Sequence, residues 1–386
     1  MLSTAAALAD HPHPSTPTRE GLAHATDLAR RCAAQVQDQR RLTPELAQAL
    51  SRAGFARHFV PRRWGGEAGT FETVLARVAA LGEECASTAW CAALYAAHGR
   101  LAAYLPEAGQ REVWEHGPDV RIAAAVNPPT GTARPADGGW RLTGRWSFAS
   151  GVDHAQWVLL GTRTGPDNEH RILAVRRGDC QVLDTWHSSA LRGTGSNTVL
   201  LDDLLVPAHR TVVLADLAAA RPDHPRCHGV PYPMVAGLQF AAPALGAARA
   251  ALRAWSRATV ERRCADGRRA HESPAAQQVL TRTSAQIEAA ALLLRQAALR
   301  ADAGETGALS VAENIRDAAT AVDLCASATA ALMRASGARA LAQDDPVQRR
   351  WLDVAAVANH AALDLEAACA AYARAAFDVH EAARAT

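Results

Sequence analysis

From about residue 19 to 118 apolar residues recur at three- and four-residue spacing, which predicts a helical first part. Thr43-Pro44 reads as an N-cap followed by proline at the first helical position, and Gly54 closes that short helix. Longer amphipathic helices are expected over about 71–83 and 86–104. Near Arg121 the pattern changes. Short apolar or alternating stretches at 121–126, 140–150, 156–163, 171–176, 181–186 and 198–206 lie between turn signals such as Asp137-Gly138-Gly139 and Gly165-Pro166-Asp167-Asn168. Strands in succession, with no helical run between them, predict an antiparallel β-domain and not a βαβ sheet. After a proline-dense linker at 221–233 the helical period returns over about 238–263, 274–302, 308–335 and 346–379, with Ser273-Pro274 opening the second run. Four long helices with short connections predict a bundle. The expected fold class is α+β: a helical domain at 1–118, a barrel-like β-domain at 119–228 and a helical bundle at 229–386. Residues 1–18, polar and proline-rich, are expected to fray.

Composition narrows the chemistry. A chain of 386 residues can bury a sizeable core, and its 49% hydrophobic content is mostly alanine and leucine, with only 5% aromatic residues. The net charge of +2 implies no strong field for nucleic acid or an anionic membrane. All 41 basic residues are arginine, so a pyridoxal Schiff base, a P-loop lysine and a lysine nucleophile are excluded. Eight cysteines stand singly with no CxxC pair, which reads as buried free thiols in a reducing compartment. Asp10, two histidines and several prolines interrupt any apolar N-terminal segment. No uncharged run long enough to span a bilayer is read, and a soluble, cytoplasmic protein is expected.

Three residues are the candidates for chemistry. Ser150 ends a strand beside Gly151, where a missing Cβ would let the backbone approach a planar ligand. His98 shares a helix face with Leu94, Leu101 and Leu105, and its imidazole suits proton transfer near neutrality. His360, placed in the last helix with Val357 and Leu363 on its face, follows Asp353 by seven residues. Each also has a plain structural reading, as a strand-end serine or a satisfied core histidine. The remaining histidines show no ligand spacing, so no metal site is assigned. Gly193-Thr-Gly195-Ser-Asn-Thr198 lacks the third glycine of a dinucleotide fingerprint and leads into a strand, so no Rossmann site is expected.

The ordered set of motifs resembles the acyl-CoA dehydrogenase superfamily across nearly the whole chain. It comprises Gly54–Pro61 with Gly65-Gly66, Ser87–His98, Asn127-Pro-Pro-Thr-Gly131, Gly144-Arg-Trp-Ser-Phe-Ala-Ser-Gly151 and Leu191–Ser196. Arg263 with Gly267, and Pro346-Val-Gln-Arg349 with Asp353, complete it. Two departures stand out: Asp266 replaces the family's phenylalanine and Leu352 its arginine. Histidine at 360, near the offset where dehydrogenases carry a glutamate base, is similar to the group D oxygenase branch. That branch implies the oxygenase component of a two-component flavin-dependent monooxygenase, using reduced flavin (FADH2 or FMNH2) and O2 through a C4a-hydroperoxyflavin to oxygenate carbon, nitrogen or sulfur in a small organic substrate. The resemblance implies His98, Ser150 and His360 as catalytic residues, with Ser150 near flavin N5. It implies flavin contacts from Asn127, Trp146, Ser150, Gly151, Thr194, Ser196, Gly337 and, across a subunit boundary, Arg263. It also implies a homotetramer and a separate NAD(P)H-dependent flavin reductase. The stretch Ala123-Ala-Ala-Val126 lacks the serine that some phenol hydroxylases of the branch carry, which argues against a simple phenol. The alternatives are an acyl-CoA dehydrogenase with FAD, which would purify yellow, and a non-catalytic scaffold that binds no flavin.

Overall fold

The structure, a computed structural model, describes residues 19–264 and 267–385. The expected frayed segment 1–18 and the Asp266 departure lie outside the described residues. The chain opens with α1 (Arg19–Gln39), α2 (Pro44–Arg52), α3 (Phe71–Glu84), α4 (Ala86–Ala102) and α5 (Glu107–Trp114). The Thr43 side chain accepts the amide of Leu46, as its sequence position predicts. The α4 helix departs from expectation. Every one of its residues is buried, so it is a core helix and not an amphipathic one.

Eight strands form one sheet: β1 (Ile122–Ala125), β2 (Thr132–Ala136), β3 (Gly139–Ala149), β4 (Trp157–Thr164), β5 (Glu169–Arg176), β6 (Gln181–Leu183), β7 (Asn197–Pro207) and β8 (Thr211–Val213). The order is β6-β7-β3-β2-β4-β5-β8, and β1 lies along β4. The sheet is mixed and not purely antiparallel, because β1 and β2 both run parallel to β4. The chain returns through the β2–β3 hairpin, so these parallel pairs need no crossover helix. Strand β2, with no buried residue, and β8, only three residues long, carry too weak an alternation to be read in the sequence.

The linker holds one short helix, α6 (Arg226–Gly229), before α7 (Tyr232–Glu261), α8 (Pro274–Ala303), α9 (Ala308–Ser336), α10 (Pro346–Ala358) and α11 (Leu365–Ala385). The expected fourth bundle helix is thus two, broken at His360–Asp364. The run 229–248 is twenty residues without a formal charge, contrary to the sequence reading. Its helix is long and apolar enough to cross a membrane, but 72% of the most apolar window is buried inside the protein. Its burial comes from packing on α3, α4, α8 and α9. Five cysteines are buried, whereas Cys264 and Cys369 are exposed.

The helical segments before and after the sheet share one apolar core, including Leu46, Leu50, Leu81, Leu245, Leu294 and Val354. Helices α3 and α7 touch backbone to backbone. A Cβ on Gly246 would lie 2.2 Å from the Ala79 carbonyl oxygen, and one on Gly82 would lie 3.0 Å from that of Pro243. The helical segments expected as the first and third domains therefore share one packed core.

Candidate active site

The loop between β6 and β7, the end of β3 and helix α4 bring four hydroxyl or indole groups together. Thr194 Oγ1 donates to the Leu191 carbonyl at 2.9 Å, since a carbonyl can only accept. Its 2.6 Å contact with Ser196 Oγ must then be donated by Ser196. The 2.7 Å contact between Ser196 and Ser150 is in turn donated by Ser150. Ser150 receives the Trp90 indole N–H at 3.1 Å. The chain therefore has one direction, from Trp90 through Ser150, Ser196 and Thr194 to a carbonyl. All four side chains are buried.

The loop is pinned from two sides. The Leu191 amide donates to Asp353 Oδ1 on α10 at 2.7 Å, and the Gly193 amide to Ser87 Oγ at 3.2 Å. Leu191 is held at φ 47°, a backbone region unusual for leucine. Burial raises the Asp353 carboxyl to about 6, against the lowering effect of the Leu191 amide.

Gly151 is packed against a side chain of the protein itself. It has φ 73°, and an added Cβ would lie 2.7 Å from the Tyr95 hydroxyl. Tyr95 makes the close approach on the side a Cβ would take, and its hydroxyl donates to the Gly151 carbonyl at 2.9 Å. Trp146 is 1% exposed, packs in the sheet's own core and donates its indole N–H to the Gly161 carbonyl. The exposed aromatic is Phe148, 67% accessible at φ 64°, where an irregularity in β3 between Trp146 and Ala149 reverses the side-chain alternation. Period-two alternation would have put Phe148 on the same face as Trp146, which is why it escaped the sequence reading.

His360 is not in a helix. It caps the turn between α10 and α11, with Nδ1 accepting the Ala362 amide at 3.2 Å. Its ring stacks on Phe240 at 3.9 Å and meets the Trp90 edge at 5.7 Å. It therefore joins the Ser150 group through Trp90. Burial lowers its pKa to about 4, and with Nδ1 accepting, the neutral ring carries its proton on Nε2. A pocket of about 310 Å3 opens beside it, lined by Val322, Asn359 and Leu365 among others.

His98 is oppositely arranged. Nδ1 lies 2.8 Å from the Ile122 carbonyl and must donate, which leaves Nε2 as a bare acceptor with no partner among the described residues. Burial lowers its pKa to about 4. It stands eight residues from Trp90, about 12 Å along α4, so the two histidines do not meet.

Three further candidates lie apart. Asn127 is exposed at the end of β1, and Gly337 ends α9 beside a shallow pocket with Met333 and Trp351. Arg263 is exposed in the α7–α8 connection, donating to the Gly267 carbonyl at 3.1 Å. No described contact brings these three to Ser150. The nearest glutamate beyond His360, Glu366, is exposed on α11, so no glutamate takes the place of a dehydrogenase base there.

Comparison with known proteins follows the same lines. Residues 238–365 match the family described as acyl-CoA dehydrogenase, C-terminal domain. The chain is 32% identical over 370 residues to the FADH2-dependent resorcinol hydroxylase oxygenase component of Rhizobium sp., covering 90% of each. The chain belongs to the oxygenase branch of the acyl-CoA dehydrogenase superfamily. As a member of that branch it is the oxygenase component of a two-component flavin-dependent monooxygenase. A further relative in the branch is the oxygenase subunit HsaA of Rhodococcus jostii, 31% identical over 88% of this chain and 93% of its own. Among solved structures, 3-HSA hydroxylase from Rhodococcus sp. superposes with a TM-score of 0.87 at 29% identity, covering 95% of this chain and 98% of that one. XiaF from Streptomyces sp., solved with FADH2 and glycerol, gives 0.87 at 27% identity over 93% and 94%.

Proposed function

We propose that Ser150 and the hydroxyl chain behind it select a reduced flavin, and that His98 and His360 serve a small organic substrate in opposite ways. The direction of the hydrogen-bond chain carries this reading. Ser150 has given its hydrogen to Ser196, so what it offers outward is an acceptor lone pair. Reduced flavin presents an N–H at N5, whereas oxidised flavin presents a bare nitrogen there. The exposed Phe148 ring, on a backbone held at φ 64° two residues before Ser150 and edge-on to Trp186, is suited to pack on a planar ligand. Bound reduced flavin supplies two electrons and, with dioxygen, the oxygen atom that is transferred. The dependence of the Rhizobium relative on FADH2 supports FADH2 in this role.

His98 Nε2 takes the proton of a substrate hydroxyl or amine. The adjoining strand Ile122–Ala125 carries no polar side chain that could do so. His360 offers an N–H from Nε2, stacked on Phe240 in partly dry surroundings. Arg263 reaches a neighbouring subunit's flavin in a homotetramer. Its exposure, and the apolar Leu280, Leu292 and Leu299 exposed on α8, support that assembly. A separate NAD(P)H-dependent flavin reductase supplies the reduced flavin, in the cytoplasm.

The test is an anaerobic titration with both flavin states. Reduced flavin should bind at least about tenfold more tightly, the effect of one charge-free hydrogen bond gained instead of lost. Equal affinity for the two states overturns the reading. Light scattering at micromolar protein should give four chains, and a monomer would contradict the shared flavin site.

A further inference from the structure

The hydroxyl chain behind Ser150 takes its direction from its inner end, where Thr194 meets the Leu191 carbonyl. That carbonyl is held in place. Leu191 sits at φ 47° with its amide on Asp353 Oδ1. Its oxygen also accepts the Trp186 indole N–H at 3.0 Å and the Thr194 amide at 3.1 Å. A carbonyl supplies no hydrogen, so Thr194 must spend its own there, and every hydrogen back to Ser150 points the same way. A hydroxyl that donates is also a better acceptor, which strengthens the lone pair Ser150 presents. Thr194 itself is 1% exposed and lies two hydrogen bonds behind Ser150.

Ser196 decides what happens when the Thr194 hydroxyl is taken away. Its Oγ has two hydrogen-bond partners among the described residues, Thr194 and Ser150. With valine at 194, a residue of the same shape without the hydroxyl, only Ser150 remains. If Ser150 went on donating, the buried Ser196 hydrogen would have no acceptor. If Ser196 donates to Ser150 instead, that hydrogen is satisfied and the Ser150 hydrogen is released to point outward. The inner end survives the exchange, because the Leu191 carbonyl keeps the Trp186 indole and the amide of residue 194 as donors.

We infer that Thr194 is a positioning residue, acting through Ser196, that determines which redox state of the flavin Ser150 accepts. This rests on the proposed contact between Ser150 and flavin N5. With threonine at 194, Ser150 turns a lone pair outward and suits the N–H of reduced flavin. With valine it turns a hydrogen outward and suits the bare nitrogen of oxidised flavin.

The test compares the wild type, Thr194→Val and Thr194→Ser in two measurements. The first needs no flavin. Nine tryptophans give nine indole N–H signals in a proton–nitrogen correlation spectrum, and Trp90→Phe identifies the one that belongs to Trp90. A Ser150 that no longer donates to Ser196 is a weaker acceptor for that indole. The Trp90 proton should therefore move upfield in Thr194→Val and stay in place in Thr194→Ser. The second measurement is anaerobic titration with each flavin state. The ratio of reduced to oxidised affinity should fall by about tenfold to a hundredfold in Thr194→Val, for one hydrogen bond lost and one gained, and hold in Thr194→Ser. The bound flavin's two-electron midpoint potential should drop by about 30 mV for each tenfold. Damage to the site alone would weaken both flavin states together and leave the ratio where it was. In a folded Thr194→Val, an unmoved Trp90 signal or an unmoved ratio overturns the inference while leaving the preference of the wild type intact. If Thr194→Val does not fold, Ser196→Ala takes its place, since it too leaves Ser150 a hydrogen to spare, and the same two shifts are expected. Equal affinities in the wild type would sink the Ser150 reading itself, and this inference with it.

Discussion

At the scale of single residues, the two histidines differ by which nitrogen is already occupied. His98→Ala should leave reduced-flavin affinity unchanged and cut product formation by about a hundredfold or more, the usual loss of a positioned base. His360→Ala should act on the reaction of the flavin with oxygen, seen as a changed rate of oxygen uptake without substrate. Ser150→Ala removes the acceptor that faces the flavin. It should still consume reduced flavin but release more hydrogen peroxide and about tenfold less product. Stopped-flow absorbance with a parallel peroxide assay separates the three. Should all three keep coupling and rate while only the melting temperature falls, these residues are structural. Ser150, Thr194, Ser196 and His98 could be picked out from the sequence because their motifs are local. Trp90, Tyr95 and Phe240 could not, because what matters about them is a partner 56 to 120 residues away.

Among elements, regular periodicity was readable and its interruptions were not. The long helices and six of the strands lie where hydrophobic spacing puts them. The irregularity in β3 that turns Phe148 outward, and the break that removes His360 from a helix, leave no mark in a window of ten residues. They are imposed by tertiary contacts: β3 must follow β7, and the His360–Asp364 turn must fit over α7. The loop at 191–196 depends in the same way on α10. Asp353→Ala would strand the buried Leu191 amide and should cost about 1–3 kcal/mol of stability, with weaker reduced-flavin binding. Asp353→Asn keeps an acceptor and should recover most of both. Chemical denaturation and flavin titration of the pair test this, and equal damage from both would show that charge, not the hydrogen bond, matters.

For the molecule as a whole, buried histidines set the response to acid. Burial holds His98, His228 and His360 near 4, below the ordinary 6.5. Between those values the unfolded chain binds more protons than the folded one, so stability falls as pH drops from about 6.5 toward 4 and is fully present above that window. Asp353, raised from 3.8 to about 6, opposes this below pH 6, but three groups outweigh one. The denaturant midpoint should therefore climb from about pH 5 to about pH 7 and then level off. A flat profile over that range would mean the histidines are already neutral when unfolded or already hydrated when folded. The backbone contact between α3 and α7 has a different kind of consequence, in the order of synthesis. When the ribosome has made α3 and α4, the helix that covers them begins about 130 residues downstream of α4, a wait on the order of ten seconds at ordinary elongation rates. During that wait the faces of α3 and α4 that pack on α7 stay uncovered. The nascent chain must be shielded by chaperones until α7 arrives, and a fragment ending before residue 230 should aggregate when expressed alone.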